Sequence, residues 1–148
     1  MIDLAELNEA LPIGYGQTIS QPLVVAFMLE ILEPKEGEKI LDVGSGSGWT
    51  TALLAEIVGL KGRVIAVEVI PELMELGKQN VSKYNFIEKG IVEFICADGS
   101  KGYPQYAARP EFAEGFDKIL ASAAAIKLSD SWIKQLKVGG RIAAPINS

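Results

Sequence analysis

The sequence predicts an α/β fold built on a doubly wound, mainly parallel sheet with helices on both faces. Short runs rich in β-branched residues alternate with longer segments of helical periodicity, as expected of consecutive βαβ units. The runs at 39–43 and 63–67 are almost continuously apolar, which is typical of parallel strands covered on both faces. Right-handed crossovers in such a sheet place ligands beyond the carboxyl ends of the strands.

The helices are predicted from periodicity and from their first residues. Pro22 and Pro71 each stand in an opening turn, where a missing N–H costs no hydrogen bond. The helix that begins at Pro22 carries an apolar stripe that we expect in the core, formed by Leu23, Val24, Phe27, Met28 and Ile31. The predicted helices span residues 2–11, 22–32, 49–58, 71–84 and 130–136.

The strands lie between these helices, and the turn Gly139-Gly140 is expected to lead into the last of them. No repeat, low-complexity tract or polar linker interrupts the chain, so residues 1–148 are predicted to form one domain. Within it, residues 1–33 form a helical segment and residues 34–148 an α/β core. The predicted strands span residues 39–43, 63–68, 92–97, 116–122 and 141–146.

Composition excludes several functional classes. The 148 residues are 49% hydrophobic and carry 14 Lys and Arg against 19 Asp and Glu, so nothing favours a nucleic-acid partner. Histidine is absent, which excludes Ser-His-Asp catalysis and His-ligated zinc, and no metal site is predicted. The single Cys96 is expected to be a small buried residue in a reducing cytoplasm. Neither a membrane helix nor the basic start of a signal peptide is found, so a cytoplasmic protein without membrane contact is expected.

A glycine-rich loop follows the first predicted strand, in the sequence Asp42-Val43-Gly44-Ser45-Gly46-Ser47-Gly48-Trp49. Glycines allow backbone conformations and a close ligand approach that a Cβ would prevent. The phosphate-loop pattern is absent, and Trp49 stands where a dinucleotide fingerprint has Gly or Ala. The spacing of Gly44, Gly46 and Gly48 resembles that of S-adenosylmethionine-dependent methyltransferases. Such a ligand presents a carboxylate to the helix amides and has no pyrophosphate.

Acidic residues end the next two strands. Glu68 offers two oxygens that can accept both hydroxyls of a ribose, as acidic residues do in dinucleotide sites. Asp98, followed by Gly99, can accept a hydrogen bond from an adenine amino group. Each carboxylate alone would more simply be a helix cap or a solvated charge, but their position on successive strand ends beside the loop favours a cofactor site. Carboxylates also suit a cationic sulfonium and amino group.

A segment ahead of the core resembles the signature of protein-L-isoaspartate O-methyltransferases. It reads Pro12-Ile13-Gly14-Tyr15-Gly16-Gln17-Thr18-Ile19-Ser20-Gln21-Pro22. The similarity continues through residues 42–48, Glu68, Asp98-Gly99, 116–119, Ala123-Ala124 and 135–142. It implies a Rossmann-like S-adenosylmethionine-dependent methyltransferase fold with sheet order 3-2-1-4-5, and it covers most of the chain. Compared with family members, the chain is short at both ends and lacks the final strands.

The resemblance implies methyl transfer from S-adenosylmethionine to the free carboxylate of an isoaspartyl residue, leaving S-adenosylhomocysteine and starting the repair of damaged proteins. A carboxylate is already ionised, so alignment is the main requirement, which suits a chain without histidine. Ser20 and Thr18 would line the transfer site. Without the resemblance, Ser20 would more simply be a helix cap and Thr18 a turn residue, and the two roles of Ser20 can coexist. The implied cofactor-binding residues are Gln17, Ile19, Asp42, Gly44, Ser45, Gly46, Gly48, Glu68, Val69, Asp98 and Gly99.

Several alternatives stay open. The chain could be a shortened cofactor-binding domain without catalysis, a methyltransferase for another small molecule or RNA, or, least favoured, a nicotinamide dehydrogenase. The open edge of the fifth strand favours pairing with a second copy. The stretch 99–115 is long enough to form a flap over the adenine side or a plain surface loop. In it, Arg109 is either a clamp for a substrate carboxylate or a solvated side chain.

Overall fold

The computed structural model describes residues 11–14, 17–19, 22–122 and 128–145, with the backbone alone at residues 11–14, 17–19 and 22. Three short 3-10 helices, at Gly99–Lys101, Pro104–Ala108 and Pro110–Phe112, lie between the fifth and sixth strands. The other elements in chain order are β1 (Leu11–Gly14), β2 (Gln17–Ile19), α1 (Pro22–Leu32), β3 (Lys39–Val43), α2 (Trp49–Val58), β4 (Arg63–Glu68), α3 (Pro71–Ser82), β5 (Val92–Cys96), β6 (Phe116–Ala121), α4 (Asp130–Gln135) and β7 (Leu136–Ala143).

A five-stranded sheet of order β5-β4-β3-β6-β7 forms the centre of the molecule. All four neighbouring pairs are parallel. Counted from β3, this is the predicted order 3-2-1-4-5, and the predicted doubly wound fold is confirmed. The strand order reverses beside β3, so the carboxyl ends of β3, β4 and β6 border the crevice in which such sheets bind ligands.

Buried side chains pack on both faces of the sheet, which explains the continuous apolar runs. Along β3, Ile40 belongs to one core with α1 and α2, whereas Leu41 belongs to the other with Trp132 of α4. Because successive side chains of a strand point to opposite faces, both must be apolar when both faces are covered. None of the helices in the described part of the chain has the length and hydrophobicity to cross a bilayer.

The apolar stripe expected to bury α1 was assigned to the wrong face. Leu23 and Phe27 are 65% and 61% exposed, and Val24 and Ile31 are also exposed; of the predicted stripe only Met28 is buried. Val25 and Leu32 are buried instead. The sequence of α1 is PLVVAFMLEIL, which is apolar on nearly every side, so periodicity could not select the face that packs on the sheet.

The segment before α1 also differs from the prediction. Leu11 begins β1, which pairs antiparallel with β2, so the predicted helix 2–11 is wrong at its last residue and residues 2–10 lie outside the described part. The expected helical character of residues 1–33 is therefore wrong for this hairpin. Strands of three and four residues are too short to show a period of two.

The last strand is longer than predicted. β7 begins at Leu136, directly after α4, and not at Arg141, since Gly139 and Gly140 lie inside the strand at a shift in its register with β6. Gly139 has a φ of 84°, and glycines inside strands mark such bulges. Smaller differences concern α3, which ends at Ser82, and β5 and β6, which each end one residue early.

Candidate functional site

The loop at residues 44–48 joins β3 to α2 through three glycines in left-handed conformations. Gly44, Gly46 and Gly48 have φ values of 76°, 54° and 88°, which other residues adopt only at a cost. The Gly44 and Ser45 N–H groups both donate to the carbonyl of Val67 in β4, at 2.8 and 3.2 Å. The loop is thus fixed across the carboxyl ends of two adjacent strands.

Glu68 ends β4 and connects it to the loop. Its side chain is buried, Oε1 accepts from the N–H of Gly46 at 2.8 Å, and Oε2 accepts from the N–H of Ile70 at 3.1 Å. Each carboxylate oxygen has a second acceptor position. The carboxylate can therefore hold the loop and still accept a ribose hydroxyl, so the predicted role is compatible with the geometry and stays a prediction.

Asp42 lies beneath the loop and is completely buried. Its Oδ2 accepts hydrogen bonds from the hydroxyls of Thr50 and Thr51, at 3.1 and 2.6 Å, which joins β3 to the first turn of α2. Burial raises the pKa of Asp42 to about 6, opposed by the two threonine hydrogen bonds and assisted by the charge of Glu68. The predicted contact of Asp42 with a cofactor stays a prediction.

The raised pKa of Asp42 predicts how stability depends on pH. Because the folded state holds this proton more tightly than the unfolded chain, the contribution of Asp42 falls as pH rises from about 4 through 6, by about 3 kcal/mol for a shift of this size. Replacement by a neutral amide, Asp42→Asn, should therefore stabilise the protein relative to wild type more at pH 7.5 than at pH 4.5. Urea unfolding at both values measures the difference.

Asp98→Asn is the control for that prediction. Hydrogen bonds from Ser100 lower the pKa of this exposed carboxyl, so its stabilisation is present at neutral pH and is lost on acidification. The substitution should give a pH dependence of opposite sign to Asp42→Asn. Identical pH dependence for wild type and Asp42→Asn would contradict the expected role of burial.

The end of β5 approaches the end of β3 at Asp98 and Gly99. The Oδ1 of Asp98 accepts from the Ser100 N–H at 3.0 Å and from its hydroxyl at 2.8 Å. A Cβ on Gly99 would lie 2.6 Å from Cγ1 of Val43, so any other residue here would force Val43 or the Gly99 backbone to move. The structure thus brings the predicted residues of β3, β4 and β5 together at one edge of the sheet.

Two side chains beside these residues are exposed. Val69, predicted to contact the cofactor, is 60% exposed and presents an apolar surface next to Glu68. Cys96 is exposed as well, and its thiol lies 3.7 Å from the carbonyl of Val69. The expectation of a buried cysteine is wrong, because Cys96 is the last residue of β5, and β5 is the outermost strand on one side of the sheet.

Residues from the Gly-Gln-Thr-Ile-Ser run are described only in part. Gln17, Thr18 and Ile19 form β2, where the backbone alone is described, and Ser20 lies outside the described residues, as do Ala123 and Ala124. Their assignment to the transfer site and to the cofactor stays a prediction. In the part of the chain with described side chains, no group of three or more acidic or thiol residues is arranged to hold a metal ion.

The model of the protein-L-isoaspartate(D-aspartate) O-methyltransferase family matches residues 4–148. The chain belongs to this family. An isoaspartate methyltransferase of Aeropyrum pernix is 48% identical over 145 residues, which are 98% of this chain and 52% of the relative. The corresponding protein of Methanopyrus kandleri is 43% identical over 97% of this chain and 60% of its own length. The chain thus spans about half to three-fifths of these relatives.

Solved structures of the same family share the fold. One protein-L-isoaspartate O-methyltransferase superposes with a TM-score of 0.77 at 28% identity. The superposition covers 97% of this chain and 47% of the chain of that enzyme. A second, from Plasmodium falciparum, is described as putative and in complex with S-adenosyl-L-homocysteine; its TM-score is 0.82 at 25% identity, over all of this chain and 70% of its own.

The part of α3 that contacts the glycine loop was not predicted from the sequence. An added Cβ on Gly77 would lie 3.0 Å from the carbonyl oxygen of Gly46, and the side chain of Asn80 donates to the carbonyl of Ser47 at 2.9 Å. Glycine weakens a helix interior by about 0.5–1 kcal/mol relative to alanine. The position of Gly77 within a helical pattern was therefore a signal of close packing.

Arg109 lies at the centre of a group of contacts in the stretch 99–115. Its guanidinium pairs with Glu93 at 2.6 Å and with Glu111 at 2.8 Å, and it lies over the ring of Phe112. The pKa of Arg109 is raised, chiefly by hydrogen bonding to Glu93. Since its partners are carboxylates of this chain, the alternative of a clamp for a substrate carboxylate loses support.

Trp132 and Gln135 of α4 hold the start of the same stretch. The Trp132 ring N–H donates to the Gly99 carbonyl at 2.8 Å, while Gln135 accepts from the Tyr103 N–H and donates to the Lys101 carbonyl. Trp132 is buried, in agreement with the packing role that aromatic residues usually have. These bonds tie the residues that follow β5 to α4, which packs on the face of the sheet that carries Leu41.

Proposed function

We propose that this chain binds S-adenosylmethionine at the carboxyl ends of β3, β4 and β5 and transfers its methyl group to the carboxylate of an isoaspartyl residue. One observation carries the proposal: the buried Glu68 carboxylate lies directly against the left-handed glycine loop, 2.8 Å from the Gly46 N–H. Family membership supports the activity. The relative from Plasmodium falciparum, with bound S-adenosyl-L-homocysteine, supports the cofactor.

The residues at this edge suit an adenosyl cofactor. Glu68 keeps acceptor positions for ribose hydroxyls, Asp98 can accept from an adenine amino group, and the exposed Val69 offers apolar surface for a base. The buried hydroxyl of Ser45 has no hydrogen-bond partner among the described residues, although buried polar groups are normally paired. We infer that this hydroxyl takes part in the same polar site.

The proposed chemistry needs little from side chains besides binding and alignment. When bound, the cofactor supplies an electrophilic methyl group on a sulfonium. The substrate carboxylate is ionised at neutral pH and needs no general base, so this chain's contribution is to orient an oxygen in line with that group and to exclude water. We propose that Thr18 and Ser20 border the transfer site, with Gln17 and Ile19 beside the cofactor. The acidic residues would favour the cationic cofactor over its neutral product.

Two measurements test this function. Calorimetry with S-adenosylmethionine should detect binding, and transfer of labelled methyl should occur to an isoaspartyl peptide but not to the same peptide with ordinary aspartate. Binding without transfer would leave a cofactor-binding domain as the function. Transfer to RNA but to neither peptide would favour another methyltransferase, and the absence of binding would refute the proposal.

We also propose that the protein acts in the cytoplasm on isoaspartyl peptides and proteins, without nucleic-acid or membrane partners. The acidic net charge of −5 and the single cysteine support this. We further propose that a second copy pairs along the edge of β7 that no strand of the described sheet covers.

A further inference from the structure

The glycine loop touches α3 backbone to backbone. A Cβ added to Gly48 would lie 2.9 Å from the Gly77 carbonyl oxygen, and one added to Gly77 would lie 3.4 Å from the Gly48 nitrogen. Both distances are at or below ordinary contact for a real side chain. The absence of a side chain at each position therefore allows the loop to lie directly on the helix.

Asn80 is one turn further along α3 and reaches the same loop. Its Nδ2 donates to the carbonyl of Ser47 at 2.9 Å, while its Oδ1 accepts from Nζ of Lys83 at 3.4 Å. The carbonyl on one side and the ammonium on the other fix which end of the amide is the donor. Asn80 is thus oriented toward Ser47 by two partners.

The hydrogen bond from Asn80 holds the carbonyl end of the peptide unit between Ser47 and Gly48, and a backbone hydrogen bond holds its N–H end. The carbonyl of this peptide accepts a hydrogen bond from the Asn80 side chain, and its N–H donates to the carbonyl of Ser45; both distances are 2.9 Å. Gly48, which directly follows this peptide, is a glycine with positive φ and has no side chain to restrict the rotation of the peptide. Fixing both ends holds the backbone that leads into the first turn of α2.

We propose that Asn80 is a positioning residue for the amino-acid end of the cofactor, although it need not contact the cofactor itself. This inference rests on the proposed function, since it requires S-adenosylmethionine in the site. Glu68, the proposed ribose ligand, contacts the loop at Gly46, whereas Asn80 contacts the loop at Ser47, next to the start of α2. Under this proposal Glu68 acts on the nucleoside part of the cofactor and Asn80 on its amino-acid part.

Two ligands distinguish this role from a general structural one. S-adenosylhomocysteine carries the amino-acid end, and 5′-methylthioadenosine is the same thioether nucleoside without it. Asn80→Ala should weaken S-adenosylhomocysteine about five- to tenfold, as expected for one lost hydrogen bond, and leave methylthioadenosine within about twofold. Asn80→Asp should weaken it more, because an acceptor would then face the Ser47 carbonyl. Calorimetry measures both, with melting temperature as a check on folding.

Ser82→Ala is the matched control. Ser82 also makes one side-chain hydrogen bond from α3, to the Lys78 carbonyl at 2.7 Å, and that bond does not involve the loop. It should leave both affinities unchanged. If the Asn80 variants lose affinity for both ligands equally, or keep their affinity for S-adenosylhomocysteine, the inference is overturned while the proposed function stands. If the unmodified protein binds neither ligand, the proposed function itself fails, and the inference fails with it.

Discussion

Glu68→Ala is expected to weaken S-adenosylmethionine binding by about 100-fold or more. The substitution removes the acceptors for the Gly46 and Ile70 N–H groups together with the proposed ribose contact. Hydrogen bonds to charged groups contribute about 1.5–3 kcal/mol each, so the loss of the ribose contact and of the bond that holds the loop gives this magnitude. Calorimetry of the purified variant against S-adenosylmethionine measures it.

Glu68→Gln separates the charge from the shape of that side chain. The amide keeps one acceptor oxygen but presents a donor to one of the two backbone N–H groups, so we expect an intermediate loss of about tenfold. Glu72→Ala is the control, since it removes an equal charge from the exposed first turn of α3. If Glu68→Ala binds the cofactor as well as Glu72→Ala does, the assignment of Glu68 to the ribose is wrong.

The central sheet could be predicted because its residues report their surroundings directly. Ile40 and Leu41 are both apolar because each face of β3 packs in its own core. Such a run differs from the alternation of a half-exposed strand. The local sequence also shows where each strand ends. Asp42, Glu68 and Asp98 were therefore correctly placed at the carboxyl ends of neighbouring strands before any distance was known.

The face of α1 could not be predicted, for the opposite reason. Leu23 and Phe27 are as apolar as Val25 and Leu32, yet only the second pair is buried. The choice depends on how the helix crosses β6 and β7, which is a property of the assembled sheet. The bulge at Gly139 in β7 is similar, because a glycine pair predicts a turn and a strand bulge equally well.

Within the candidate site, the residue types were predictable but their hydrogen bonds were not. A carboxylate at a strand end suits a ribose in any sequence, whereas the partners of Glu68 depend on where the loop lies. Asn80 is 33 residues from Ser47 in the chain, and no local pattern relates the two. Long-range contacts of this kind follow from the packing of α3 against the loop.

Phe112→Ala is expected to lower the free energy of unfolding by about 4 kcal/mol, within the usual range for a buried phenylalanine. Phe112 is fully buried. Its ring packs edge-on against Tyr103, with centroids 6.3 Å apart, and against Phe116 at 5.2 Å. The Arg109 guanidinium lies 4.9 Å from its centroid, and such an arrangement adds to the loss. Urea unfolding measures the change.

Phe27→Ala is the matched control, because it makes the same truncation at a side chain that is 61% exposed, and it should cost less than about 1 kcal/mol. The comparison also decides what the stretch 99–115 is. A plain surface loop would tolerate both substitutions equally. A segment anchored in the core through Phe112 should lose more hydrogen-exchange protection throughout 99–115 than α1 loses in Phe112→Ala. Gly99, the first residue of this segment, lies close to Val43 at the end of β3. The same variant should therefore also weaken cofactor binding, through the proposed adenine contact at Asp98.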